Sequence, residues 1–195
     1  MSASRVTASS ITQGLPKSRS LLAGNYAYGG GATWLIERIN VASTTSSVTF
    51  SSIPQTFKHL QIRGSVQLAS TADMNIQFNS DTGSNYAYHA LYGSGASTAT
   101  GLNTTSTSYG IYCGYFNSGS SSFAGLVVDI LDYTSTNKYK TSRVLEGNDS
   151  NGSGYVFFNS GLWQSATAIT SIKFYSKDGI NLNQYSSFAL YGVVG

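Results

Sequence analysis

From Thr33 onward the chain is a series of short runs in which apolar and polar residues alternate, separated by turn-forming clusters. In "FKHLQIRGSVQL", Leu60, Ile62, Val66 and Leu68 share one face, with Gln61 and Arg63 in the opposite register. Period-two alternation of this kind marks a half-buried strand. "MNIQF" repeats the pattern with Met74, Ile76 and Phe78. After the turn signal "NSDTGSN", the run "YAYHALYG" sets Tyr86, Tyr88, Ala90 and Tyr92 on one face and His89 on the other. "TWLIERINV", "SSVTF", "YGIYCGYF", "FAGLVVDIL", "YKTSRVLEG", "YVFFNSGLW", "ITSIKFYS" and "SFALYGVV" complete a set of about eleven strands, with no convincing helix. Closely spaced strands without intervening helices predict an all-β fold, a jelly-roll-like antiparallel β-sandwich, with an up-and-down barrel as the alternative. No fixed-period repeat points to a propeller or β-helix.

Composition agrees. Of the 195 residues only 10% are charged, 13% are aromatic, and there are 14 Tyr and 21 Gly, a balance that suits strands and turns rather than exposed helices or disorder. The pattern divides the chain into an extended N-terminal anchoring arm, residues 1–32, and a sandwich domain, residues 33–195. The arm is rich in Ser, Thr, Gly and Ala and closes on the glycine run of "GNYAYGGGA". It holds Arg5, Lys17 and Arg19 and no acid, while the other eight basic residues balance the 8 acidic ones, so the whole net charge of +3 sits there. Three cations are too few for a nucleic-acid arm but suit an acidic protein surface. No apolar run reaches the length of a membrane span. The N-terminal residues lack the apolar core of a signal peptide, so synthesis in a cytoplasm is expected.

Candidate chemistry is sparse. His59 and His89 are the two histidines, and neither has a partner nearby in sequence for acid–base work. Asp129 and Asp132 stand three apart, a spacing that points side chains to opposite faces of a strand and splits any carboxylate pair. One of the two is expected at a strand end, bonded to backbone or to Lys138 or Lys140. "DSNGSG", Asp149 to Gly154, resembles the start of a calcium loop, but the twelfth position is Ser160, so a hairpin loop is expected instead. "TSTNKYKTSR" reads as a hairpin with a solvated basic edge. The single cysteine, Cys113, is expected to be buried and inert. No cofactor or metal is called for. Tyr86, Tyr88 and Tyr92, with Asn85, form either a glycan platform or a packed face against the second sheet or a neighbouring subunit; Tyr109, Tyr112 and Tyr115 pose the same choice.

Four blocks carry a resemblance: "SVTFSSIPQTFKHLQIRG", "FNSDTGSNYAYHALYGSG", "VVDILDYTSTNKYKTSR" and "ITSIKFYSKDGINLNQYSSFALYGVVG". They resemble a family of structural proteins from tailed bacteriophages, cyanophage-like ones in particular, and span most of the chain after Ser47. The resemblance implies a virion β-sandwich, used as a capsid decoration or cement protein or as a tail or fibre component, and implies no catalytic residue. On that basis the chain is expected to be non-enzymatic, homotrimeric and on the virion surface, without direct contact to nucleic acid or membrane. Arg5, Lys17 and Arg19 would contact the major capsid protein or another virion protein. The alternative is a tail or fibre component that binds host surface glycan through the tyrosine face.

Overall fold

A computed structural model describes residues 32–95, 100–116 and 122–195. The expected anchoring segment with Arg5, Lys17 and Arg19 lies outside them. The described residues form twelve strands and no helix. In chain order these are β1 (Thr33–Asn40), β2 (Ser47–Phe50), β3 (His59–Val66), β4 (Ala72–Phe78), β5 (Tyr86–Ser94), β6 (Thr100–Thr107), β7 (Ile111–Phe116), β8 (Ala124–Leu131), β9 (Lys140–Asp149), β10 (Gly154–Trp163), β11 (Ile172–Tyr175) and β12 (Ser187–Val193). Eleven match the alternating runs. The additional one, β6, reads "TGLNTTST" and carries almost no apolar pattern; its pairing with β5 holds it in place.

The strands make two antiparallel sheets. One has eight strands in the order β1-β12-β3-β8-β9-β10-β5-β6, the other four in the order β2-β11-β4-β7. Consecutive strands alternate between sheets, except at the hairpin β5–β6 and along the run β8–β9–β10, which stay in the larger one. The hairpins β5–β6 and β9–β10 extend that sheet on the same side, past β8.

The predicted inward set packs between the sheets: Leu60, Ile62 and Val66 of β3 and Met74, Ile76 and Phe78 of β4 are sealed from solvent, with Phe174, Phe188 and Leu190. Each such side chain contributes roughly 1.5–3 kcal/mol by leaving water. Phe174 and Phe188 meet across the sandwich at 4.9 Å. The four-stranded sheet ends at β7, so the hairpin strands overhang it. β7 covers most of their inner side, packing on β9, β10 and β5, and Phe78 of β4 reaches Tyr86 and Trp163 at one end.

Candidate functional site

The overhang gathers the unusual chemistry of the molecule. β9 alternates strictly, but its inward positions are Lys140, Ser142, Val144, Glu146 and Asn148, most of them polar and all buried. Glu146 and Asn148 meet the free edge of β7. An edge strand exposes unpaired backbone groups, which must be satisfied or screened. Here two asparagines do it: Asn148 Nδ2 donates to the Tyr115 carbonyl at 3.1 Å, and Asn159 of β10 donates through its amide to the Tyr112 carbonyl.

Glu146 lies between them, fully buried. Its Oε1 accepts from Asn148 Nδ2 at 3.1 Å, while Oε2 has no hydrogen-bond partner among the described residues. Gly114, at φ +136°, makes room for it, since a Cβ there would sit 2.7 Å from Glu146 Oε2. Gly114 adjoins the β4–β7 register shift, where Met74 faces Gly114 and Asn75 faces Tyr112. Burial pushes the Glu146 carboxyl up to about 8, against the smaller opposing effect of the Asn148 hydrogen bond. At neutral pH Glu146 is therefore mostly the uncharged acid.

Aromatic rings close the rest of the overhang. Tyr88 stacks on Tyr112 at 5.4 Å, Tyr112 meets Phe157 edge-on at 5.5 Å, and Phe157 stacks on Tyr92 at 5.1 Å. Tyr155 and Tyr115 continue the seam at 5.2 Å. Burial, then the charges of Asp73 and Glu146, raises the Tyr112 hydroxyl well above the usual tyrosine range. Asp73 itself pairs with Lys177 at 2.8 Å, and Lys177 also holds Asp178 at 2.8 Å.

The tyrosine face is thus split. Tyr86 leaves it: the ring is fully buried, 6.4 Å from both Phe78 and Trp163. Its hydroxyl accepts the Phe78 N–H and donates towards the Asp81 carbonyl, both at 3.1 Å. Tyr88 and Tyr92 are half-buried and pack on β7 and β10, so the same-face tyrosines serve intramolecular packing first. Tyr109 is exposed, Tyr112 buried and Tyr115 half-buried, so that second group does not form one platform.

The remaining candidates have structural employment. Asp81 accepts from Trp163 Nε1 at 2.7 Å, Asn85 Nδ2 at 2.9 Å and the Gly83 N–H at 2.8 Å. Burial opposes its ionisation, but those three donors outweigh it and hold the carboxyl below the usual range. Asp132 sits past the end of β8 at φ 47° and pairs with Lys138 and with Lys58, the latter at 2.9 Å. The hydrogen bonds from Lys138 and Lys58 hold its carboxyl at about 2. Its N–H donates to His59 Nδ1 at 2.9 Å, so that nitrogen carries no proton. Asp129 points to the outer face and accepts from Gln61 Nε2 at 2.8 Å, away from Asp132. His89 is exposed on the outer face of β5. Asp149–Gly154 is a hairpin loop in which Asp149 Oδ1 accepts the Gly152 N–H at 3.3 Å. Among the described residues no three His, Cys, Asp or Glu side chains converge on a metal position. Cys113 is buried, and burial followed by the charge of Glu146 raises its thiol well above normal.

The basic hairpin differs from its reading in sequence. β9 is an interior strand between β8 and β10, not an edge. Lys140 is fully buried, its amine donating to the carbonyl of Lys138 at 3.0 Å and directed at that of Ser165 at 3.5 Å. Of the two basic residues of that strand, Arg143 alone reaches solvent, from its outer face. No protein-family model, curated protein or solved structure matches the chain.

Proposed function

We propose that this chain is a virion structural protein of a tailed bacteriophage, a capsid decoration or cement protein anchored to the major capsid protein by its N-terminal segment. The observation that carries the proposal is where the four phage-like blocks fall. They coincide with β2 and β3, the Asp81 turn with β5, β8 with the Asp132 turn, and β11 with β12. Those residues build the framework and lock its turns, as expected of a likeness between scaffolds. The strand order supports a jelly roll: without the two hairpins, the sheets read β1-β12-β3-β8 and β2-β11-β4-β7, an eight-stranded double-sheet pattern. His59, Asp81 and Asp132 all hold turns, which favours a structural over a catalytic role.

Removal of residues 1–30 tests the anchoring. The truncated protein should fold and fail to join particles, and normal incorporation would refute the proposal. A second reading, a tail or fibre component that binds host glycan, is favoured by the half-exposed rings of Tyr92, Tyr115 and Tyr155 along the seam. It predicts saturable oligosaccharide binding and a handful of copies per virion, where a decoration protein has hundreds.

A further inference from the structure

The outer face of the overhang is apolar where a solvated sheet would be polar. Leu91 of β5, Phe158 of β10 and Leu145 of β9 are 58%, 50% and 52% exposed. They are direct cross-strand neighbours, and half-buried Val127 of β8 completes the row. The next outward row is Gly93, Val156, Gly147 and Gly125. A ridge of large side chains therefore runs beside a trough floored mostly by glycine. A depression of about 410 Å³ lies there, lined by Gly93, Gly95, Gly147, Gly154 and Val156 among others. Along β9 the outward residues flanking ridge and trough are Arg143 and Asp149, both exposed. Neither makes an ion pair among the described residues.

The geometry points to a two-fold contact of this face with a second copy of the chain. The axis lies in the interface, across the strands, at the level of Glu146. Rotation about it places Leu145 over Gly147 of the second copy, Leu91 over its Gly93, Val127 over its Gly125 and Phe158 against its Val156. The same rotation sets Arg143 opposite Asp149 of the second copy, twice over. Sequence order on β9 (cation, ridge, trough, anion) is thus complementary to itself in both shape and charge. Two twisted sheets facing each other at about 10 Å with a splay of about 30° accommodate this, with closest approach near the axis. Four strands and four outward rows give a footprint of about 19 by 20 Å, or about 400 Å² per copy. That is the size of a weak, reversible contact rather than a permanent dimer. Weak pairing suits copies already concentrated on one particle.

Sedimentation velocity of the full chain, from about 1 μM to about 1 mM, tests the proposal. Reversible dimers are expected in the upper part of that range. Gly147→Leu fills the trough and should weaken pairing by about ten-fold or more, equivalent to about 1.4 kcal/mol. The monomer tolerates a side chain there, because the nearest atom to a Cβ is Val156 Cγ2 at 3.8 Å, so thermal stability should not fall. Arg143→Glu should also weaken pairing, and adding Asp149→Lys should restore it. A monomer at every concentration would overturn the proposal. So would a dimer or homotrimer that ignores Gly147→Leu and the charge reversal. Association that appears only after removal of residues 1–31 would assign the face to the chain's own N-terminal segment, which equally overturns it.

Discussion

Replacing Glu146 with glutamine should make this protein more stable at neutral pH, against the usual result of altering a buried residue. The free chain ionises near the ordinary value of 4.5, whereas the folded protein holds the proton up to about 8. Below pH 4.5 both states are protonated and the group has no effect on stability. Between 4.5 and 8 the unfolded chain releases its proton and the native state keeps it, so stability falls as pH rises, by about 1.4 kcal/mol per pH unit. By pH 7 the loss is on the order of 3 kcal/mol, and it levels off above the native value at about 5 kcal/mol. Glutamine has the shape of the neutral acid, keeps an oxygen to accept from Asn148, and cannot ionise. It should remove the loss.

The assay is urea unfolding of both proteins between about pH 5 and about pH 8. The difference between the two proteins at each pH isolates Glu146, because every other titrating group is common to both. On the acid side, Asp81, Asp132 and Asp178 have lowered values, so their contributions are present above the unfolded value of 3.8 and vanish only as pH falls through the folded one. On the alkaline side, the buried Cys113 thiol adds its own loss only as pH approaches and passes the ordinary thiol value of 9.0, where the unfolded chain forms thiolate. The wild-type midpoint should fall steadily relative to that of Glu146→Gln across the window. Parallel curves, or a glutamine variant less stable at pH 8, would refute the assignment of a neutral carboxyl to the seam.

Two further substitutions probe the locks around the core. Asp81→Ala removes the acceptor shared by Trp163, Asn85 and Gly83 and should cost about 3 kcal/mol in urea unfolding, with a shifted Trp163 fluorescence spectrum. Gly114→Ala places a Cβ 2.7 Å from Glu146 Oε2 at a φ of +136°, and should cost about 2–4 kcal/mol by thermal or chemical unfolding.

Where the apolar period was clean, the fold was legible. β3 and β4 present residues of one parity to one core, so Leu60, Ile62, Met74 and Phe78 could be placed from spacing alone. The hairpin β9–β10 defeats the same reasoning because its pattern is mixed. Glu146 and Asn148 face inward with Val144, Phe157 and Trp163, while Leu145, Val156 and Phe158 face out, so apolar residues stand on both faces and period-two logic does not decide between them. No residue type near Lys140 marks it as buried, since its amine is met by backbone carbonyls, that of Lys138 two residues away and that of Ser165 twenty-five away. Likewise Trp163 lies 82 positions from Asp81, and nothing within "FNSDTGSNYAYHALYGSG" announces that its carboxylate waits for an indole. The turn itself and the parity of its tyrosines were readable; which of the rings would be core was not, because that depends on where the small sheet ends.

The mixed pattern has one cause on both faces. Two hairpins widen the larger sheet past the end of the smaller one, so inner positions there meet the free edge of a strand instead of a second apolar layer. An edge exposes backbone carbonyls, and apolar side chains would bury them unsatisfied. Asn148 and Asn159 are inward because amides can cap Tyr115 and Tyr112, and Glu146 stays uncharged beside them. A strand that supplies polar groups inside sends its alternate residues outside, but that alone does not require Leu91, Leu145, Val156 and Phe158 to be apolar. Serine or threonine would satisfy the strand as well. Exposed apolar residues in one row, beside a row made mostly of glycine, with Arg143 and Asp149 flanking the two on β9, call for a second explanation. A second copy of the same face supplies it with no component beyond the chain itself.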